Sequence, residues 1–191
     1  VRSRLMGIPT LIKTLTASGD ASLSFVDGAA SVTLDSTYDE YMFVFTDINP
    51  ATDSAEFSFQ VNATDDAGGG YDTSLFTAAT FYSSHKEDGS NGALQYTDTH
   101  DQGQGSAFQP IAWDVGNGSD ESCAGILHLF SPASTTYVKH FYSRVMTYEG
   151  GDRVYEAFTS GYINDATAID EIQFKMSSGN FDGVIQMYGI A

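Results

Sequence analysis

The chain has 191 residues, 41% hydrophobic and 13% aromatic, enough apolar material for one domain with its own core, which excludes a disordered tail. Eight Lys and Arg stand against 25 Asp and Glu, a formal net charge of −17, so a surface that repels phosphates and anionic lipid is expected to bind neither nucleic acid nor membrane. Its single cysteine, Cys123, excludes an intrachain disulfide and an all-cysteine metal site.

The first seven residues are basic but lack an apolar core of signal-peptide length, and no export signal is expected. From Leu11 the dominant period is two, the signature of half-buried strands. Alternation predicts strands over residues 11–16, 22–25, 31–34, 41–45 and 56–62. Residues 41–45 are apolar on both alternating sets, the pattern of a central strand covered on both sides. Turn residues separate the strands: Ser18-Gly19-Asp20, Asp27-Gly28, Asn49-Pro50, and the Gly-rich 65–70. Residues 83–125 read as a long loop with scattered glycines, interrupted by short strands at 93–96 and 109–113. Such loops, when ordered, tend to be functional or to pack on neighbouring subunits. Regular strands resume at 126–130, 137–148, 154–163, 169–176 and 184–190, with short helical turns admitted only at 77–83 or 166–171.

This spacing predicts an all-β fold: an antiparallel β-sandwich, jelly-roll-like in its strand count, with long Gly-rich loops. Residues 17–191 form one domain on this reading, and residues 1–16 an extended N-terminal arm or first strand.

Catalytic motifs do not emerge. Neither Gly103–Ala107 nor Gly116–Asp120 gives Gly-x-Ser-x-Gly, and there is no His-Glu-x-x-His and no P-loop. His128 and His140 fall inside strand patterns and read as structural, while Asp98-Thr99-His100-Asp101 reads as a solvated acidic loop. Calcium is the ion best suited to the carboxylates at Asp65-Asp66 and from Asp114 to Glu121, yet no EF-hand pattern is present, so no metal and no cofactor are expected. A candidate glycan or interface loop joins Trp113, Asp114 and Asn117, with Tyr96 as a second aromatic. An indole can stack on a sugar face while neighbouring polar groups bind its hydroxyls.

Two segments resemble tailed-phage virion proteins. The first runs from Tyr38-Asp39-Glu40-Tyr41 through Met42-Phe43-Val44-Phe45 to Ile48-Asn49-Pro50 and is followed by Phe57-Ser58-Phe59-Gln60 and a Gly-rich stretch ending in Tyr71. The second is the C-terminal pattern Ile169–Phe174, then Ser178-Gly179-Asn180-Phe181 and Gly183 through Tyr188-Gly189-Ile190. The resemblance implies a non-enzymatic structural protein on the outer surface of a virion, of the capsid decoration (cement) or tail-accessory kind. It further implies a jelly-roll-like domain, often trimeric, whose partner is the major capsid protein or another virion protein. A tail or head-fibre module binding a receptor or glycan is the alternative.

Arg2, Arg4 and Lys13 are three of the eight basic residues, with no acid before Asp20. Charge asymmetry of this kind marks interaction arms. Arg2, Arg4, Leu11 and Lys13 are therefore the expected docking residues, on an arm that reaches an acidic neighbouring subunit and adds a strand to its sheet.

Overall fold

The structure is a computed structural model and describes residues 7–65, 71 and 74–191. Among these residues the alternating pattern becomes thirteen strands: β1 (Thr10–Asp20), β2 (Ser22–Val26), β3 (Glu40–Pro50), β4 (Ala55–Ala63), β5 (Phe76–Lys86), β6 (Ala93–Tyr96), β7 (Gln102–Gly105), β8 (Gln109–Val115), β9 (Cys123–Phe130), β10 (Lys139–Glu149), β11 (Arg153–Ile163), β12 (Ile169–Met176) and β13 (Phe181–Ile190). One 3-10 turn, Asp98–His100, is the sole helical element among them.

Every strand pair is antiparallel. The large sheet runs β1-β13-β3-β9-β10-β11-β5-β6, with β7 also on β5, and the small sheet runs β2-β12-β4-β8. Four strands of the large sheet, β1-β13-β3-β9, and the four of the small sheet draw on both ends of the chain. The hairpin β10–β11 and the excursion β5–β7 extend only the large sheet beyond β9.

Phenylalanine fills the space between the sheets. Phe43 and Phe45 on β3 meet Phe174 on β12 with ring centroids 5.4 and 5.2 Å apart, and Phe59 on β4 meets Phe141 on β10 at 5.1 Å. These edge-on and tilted contacts are the favoured geometry for aromatic pairs and stabilise beyond simple burial. Phe25, Phe43, Phe57, Phe59, Phe76 and Phe174 are all fully buried.

Of the two forms expected for the N-terminal segment, arm or first strand, residues from Thr10 take the second. Residues 10–16 belong to β1, which pairs with β13 from Thr10 opposite Gly189 to Asp20 opposite Phe181. The expected boundary after residue 16 thus falls inside a strand of the domain, not at the root of an arm. The cause is the inward set of β1: Ile12 and Leu15 pack on the core and Ala17 is buried, so this apolar stripe is satisfied within its own chain.

Residues 31–34 are not a strand. Ala30 and Ser31 take positive φ (48° and 69°) and turn the chain, while Val32 and Leu34 still plug the core and the Leu34 amide donates to Asp27 Oδ1 at 2.8 Å. Residues 77–83, where a helical turn was admissible, lie in β5, and β12 begins at Ile169 without a helical turn before it. Asn49 and Pro50 close β3, and the chain turns only after them.

Within the supposed 83–125 loop, glutamine side chains do the work that a ladder does elsewhere. Gln60 is fully buried on β4 and donates from Nε2 to the carbonyls of Ser106 (3.0 Å) and Ser74 (3.3 Å). Gln109, also fully buried, donates to His100 O at 2.8 Å and Pro110 O at 2.9 Å. Buried backbone acceptors must find donors, and here side chains supply them.

Candidate interaction surface

Strands β9, β10, β11 and β5 cover the core with one alternating set and present the other outward. On β10 the inward set is Lys139, Phe141, Ser143, Val145 and Thr147, all buried, and the outward set is His140, Tyr142, Arg144 and Met146, all exposed. Register aligns the outward residues into rows that cross the sheet. One row holds Leu11, Tyr188, Met42, His128 and Tyr142. The next holds Val44, Ile126, Arg144, Phe158, Phe81 and Tyr96. A third runs from Ala124 through Met146, Glu156 and Ser83 to Leu94.

These side chains are ordered by mutual stacking. His128 lies flat on Tyr142 at 4.6 Å and 16°, Phe81 on Phe158 at 4.8 Å and 5°, and the Arg144 guanidinium sits 5.5 Å above the Phe158 ring. His128 is buried beneath its neighbours, but much of the face remains open to solvent: Tyr142 is 42% exposed, Met146 44%, Phe81 47% and Leu94 74%. A solitary exposed hydrophobe needs no explanation, but a contiguous set of this extent marks a surface that binds.

The charged side chains on this face contact polar neighbours. Arg144 is bound to Glu156, with Nε donating to Oε1 at 2.6 Å, and His128 Nδ1 contacts Glu40 Oε1 on the neighbouring strand. Among β9, β10, β11 and β5, Glu156 is the sole outward acid. Burial raises the Tyr142 hydroxyl pKa above its ordinary range, and Glu40 adds to the shift. The arrangement suits adhesion by apolar area with local electroneutrality.

The expected glycan platform is not assembled. Trp113 is 5% exposed, and its ring is covered by His100 (4.3 Å, 18°) and met edge-on by Tyr82 at 5.4 Å. Tyr96 stands in register with Phe81, on the outward side, with its hydroxyl on Asp101. Tyr82, next along β5, turns inward to Trp113, so the two aromatics occupy opposite faces. Asp114 has a positive φ (50°) and acts electrostatically on His100, and Asn117 is exposed in the following turn. A polar cleft of about 350 Å³ does open nearby, between Tyr82, Gln95 and Arg153, but none of the four lines it.

His100 is not in a solvated loop either. Burial is the main cause of a lowered pKa, opposed by Glu56, whose Oε1 lies 3.6 Å from Nδ1. Among the described residues no group of three or more His, Cys, Asp or Glu converges to hold a metal ion. Of the docking residues expected on an arm, Arg2 and Arg4 lie outside the described residues. Lys13 donates to the Ala30 carbonyl at 3.0 Å, and Leu11 is half-exposed at the edge of the aromatic face.

Searches against protein-family models, curated proteins and solved structures found no match to this chain.

The outward residues of β9–β11 and β5 are the candidate set that sequence reasoning missed. Their signal was the double apolar alternation of residues 41–45, read as a strand covered on both sides. Only one side is covered: Tyr41, Phe43 and Phe45 are buried while Met42 and Val44 join the open face.

Proposed function

We propose that the chain is a non-catalytic structural protein of a tailed-phage virion, a decoration subunit that binds neighbouring subunits on the outer surface of the shell. The observation that carries this reading is the ordered, charge-neutral aromatic face of the large sheet on an otherwise strongly acidic body. Strand order adds support. The order β1-β13-β3-β9 in one sheet and β2-β12-β4-β8 in the other supports a jelly-roll reading of the sandwich, an architecture that capsid and lectin domains use. The two Tyr- and Phe-rich segments that resemble virion proteins supply β3, β12 and β13 of this arrangement.

Such a protein acts by linkage. Binding only the assembled shell, it stabilises that state by mass action, and many weak contacts on a repeating lattice add through multivalency. Its acidic remainder faces solvent and resists non-specific association. The partners are the major capsid protein or another virion protein, together with further copies of the chain.

Quantitative mass spectrometry of purified particles tests the proposal. A copy number of the same order as the major capsid protein is expected. A few copies per particle would transfer the chain to a tail or head fibre, and absence from particles would end the virion reading.

A further inference from the structure

We infer that the outward face of the large sheet is the contact between two copies of this chain, packed face to face about a two-fold axis. This inference rests on the reading of that face as an assembly surface and names its occupant.

Charge favours a second copy as the occupant. The chain carries −17, yet the rows through Tyr142, Arg144 and Met146 hold one acid, Glu156, and it is paired with Arg144; Glu40, one row beyond, contacts His128. Two bodies of the same sign can approach closely only through a region where neither presents net charge. A basic partner would be drawn to the acidic remainder of the surface instead. An acidic partner would find on the central rows one guanidinium, and that one is occupied. A neutral aromatic surface is matched by another neutral aromatic surface, and a second copy presents one.

The face is broad. The rows span β3, β9, β10, β11, β5 and β6, continued by Tyr188 and Leu11 toward the far edge. With strands about 4.8 Å apart and about 3.3 Å per residue along them, the three rows take roughly 24 Å by 13 Å, and the outward length of β10 from His140 to Tyr148 extends the face to about 600 Å² in plan, about half of it in those rows. The whole face is close to, and the three rows well under, the ~800 Å² that each partner buries in a stable interface of ordinary size. Stacked sheets pack about 10 Å apart, a distance set by side chains such as Tyr142, Phe158 and Met146.

Symmetry sets the number of copies. The same patch on both partners makes an isologous contact, which closes at two copies; a ring of three needs two different patches on each subunit. The trimer implied by the sequence resemblance is therefore replaced by a pair. In that pair Arg144, whose side chain is 56% exposed even while bound to Glu156, can share its guanidinium with the facing copy's carboxylate.

Sedimentation of the purified full-length chain at tens of micromolar tests this. The expected mass is twice the 20.5 kDa of one chain, and the pairing tightens as NaCl is raised because the acidic bodies repel less. Tyr142→Asp with Met146→Asp places two unpaired charges in the contact and weakens it about 100-fold or more, with the circular dichroism spectrum unchanged. Met146→Asp alone repeats the test should the double variant fail to fold. Tyr137→Asp, in the loop before β10 beside Tyr38 and Ser134, leaves the pair intact. A wild-type chain of single or triple mass, a pair that survives the substitutions, or a pair separated by Tyr137→Asp would overturn the inference. A monomer found at high copy number on particles would remove the pair and keep the virion role; a pair absent from particles would do the reverse.

Discussion

Tyr41 shows how one side chain joins the core to a loop. Its ring is fully buried on β3, while its hydroxyl donates to the Asp35 carbonyl at 2.9 Å and accepts from the Asp35 amide at 3.0 Å. Burial pushes the hydroxyl pKa up from 10.0 to about 12, and the nearby Asp35 charge adds to the rise. A raised folded-state pKa means that the folded chain holds this proton where the unfolded chain releases it. The stability it contributes is complete below pH 10 and is lost as pH rises through about 12. Urea unfolding between mildly and strongly alkaline pH is expected to show a decline shallower in Tyr41→Phe than in wild type, by up to about one proton equivalent. At neutral pH Tyr41→Phe is expected to be less stable by about 1–2 kcal/mol, because two loop hydrogen bonds are gone. Equal alkaline slopes in the two proteins would contradict this account. Phe174 carries a different burden, touching the rings of Phe25, Phe43, Phe45, Phe57 and Phe59. Phe174→Ala is expected to cost about 3–5 kcal/mol in the same assay, the range for emptying a well-packed core site.

At the scale of elements, the small sheet helps explain why residues 83–125 read as loop. β4 looks half-polar in sequence, with Ser58, Gln60 and Asn62 alternating against Phe57, Phe59 and Val61, yet both sets are buried. Long connections fold over its outer side, and Gln60 ties them down through Ser74 and Ser106. Gln60→Leu keeps the volume but leaves those carbonyls unpaired, and a loss of about 2–3 kcal/mol is expected. Hydrogen exchange separates this from a general loss of packing: amides of residues 104–108 should open first, with those of β10 unchanged relative to global stability. Gly125 belongs to the same scale. A β-carbon there would run into the Arg144 carbonyl oxygen and the Val145 Cα, so β9 and β10 approach each other on the core side in a way only glycine permits. That close approach begins the extension of the large sheet past β9, and so the aromatic face depends on it.

For the whole molecule, the decisive property is the contrast between an acidic body and one neutral face. Like charges confined to a compact surface destabilise it, and salt relieves the repulsion. The thermal midpoint of the unpaired Tyr142→Asp, Met146→Asp variant is expected to rise by several degrees from low to near-molar NaCl, as read by calorimetry. A midpoint indifferent to salt would show that the charge is already compensated locally over the rest of the surface too.

Strand existence, the all-β class and the acidity were legible from residues alone, because period-two alternation and composition are local properties. The run at 41–45, the alternation of 137–148 and the C-terminal strands appear in the structure within a few residues of their expected bounds. Alternation says that a strand has two faces. It does not say which face another part of the chain will cover, since cover comes from residues far away in sequence. For that reason Met42 and Val44 looked buried, Trp113 looked available, and residues 1–16 read equally as an arm or a first strand, although β13 was waiting at the other end of the chain to pair with residues 10–16. The order of the strands, the burial of Trp113 beneath His100 and the open aromatic face were decided only when distant segments packed together.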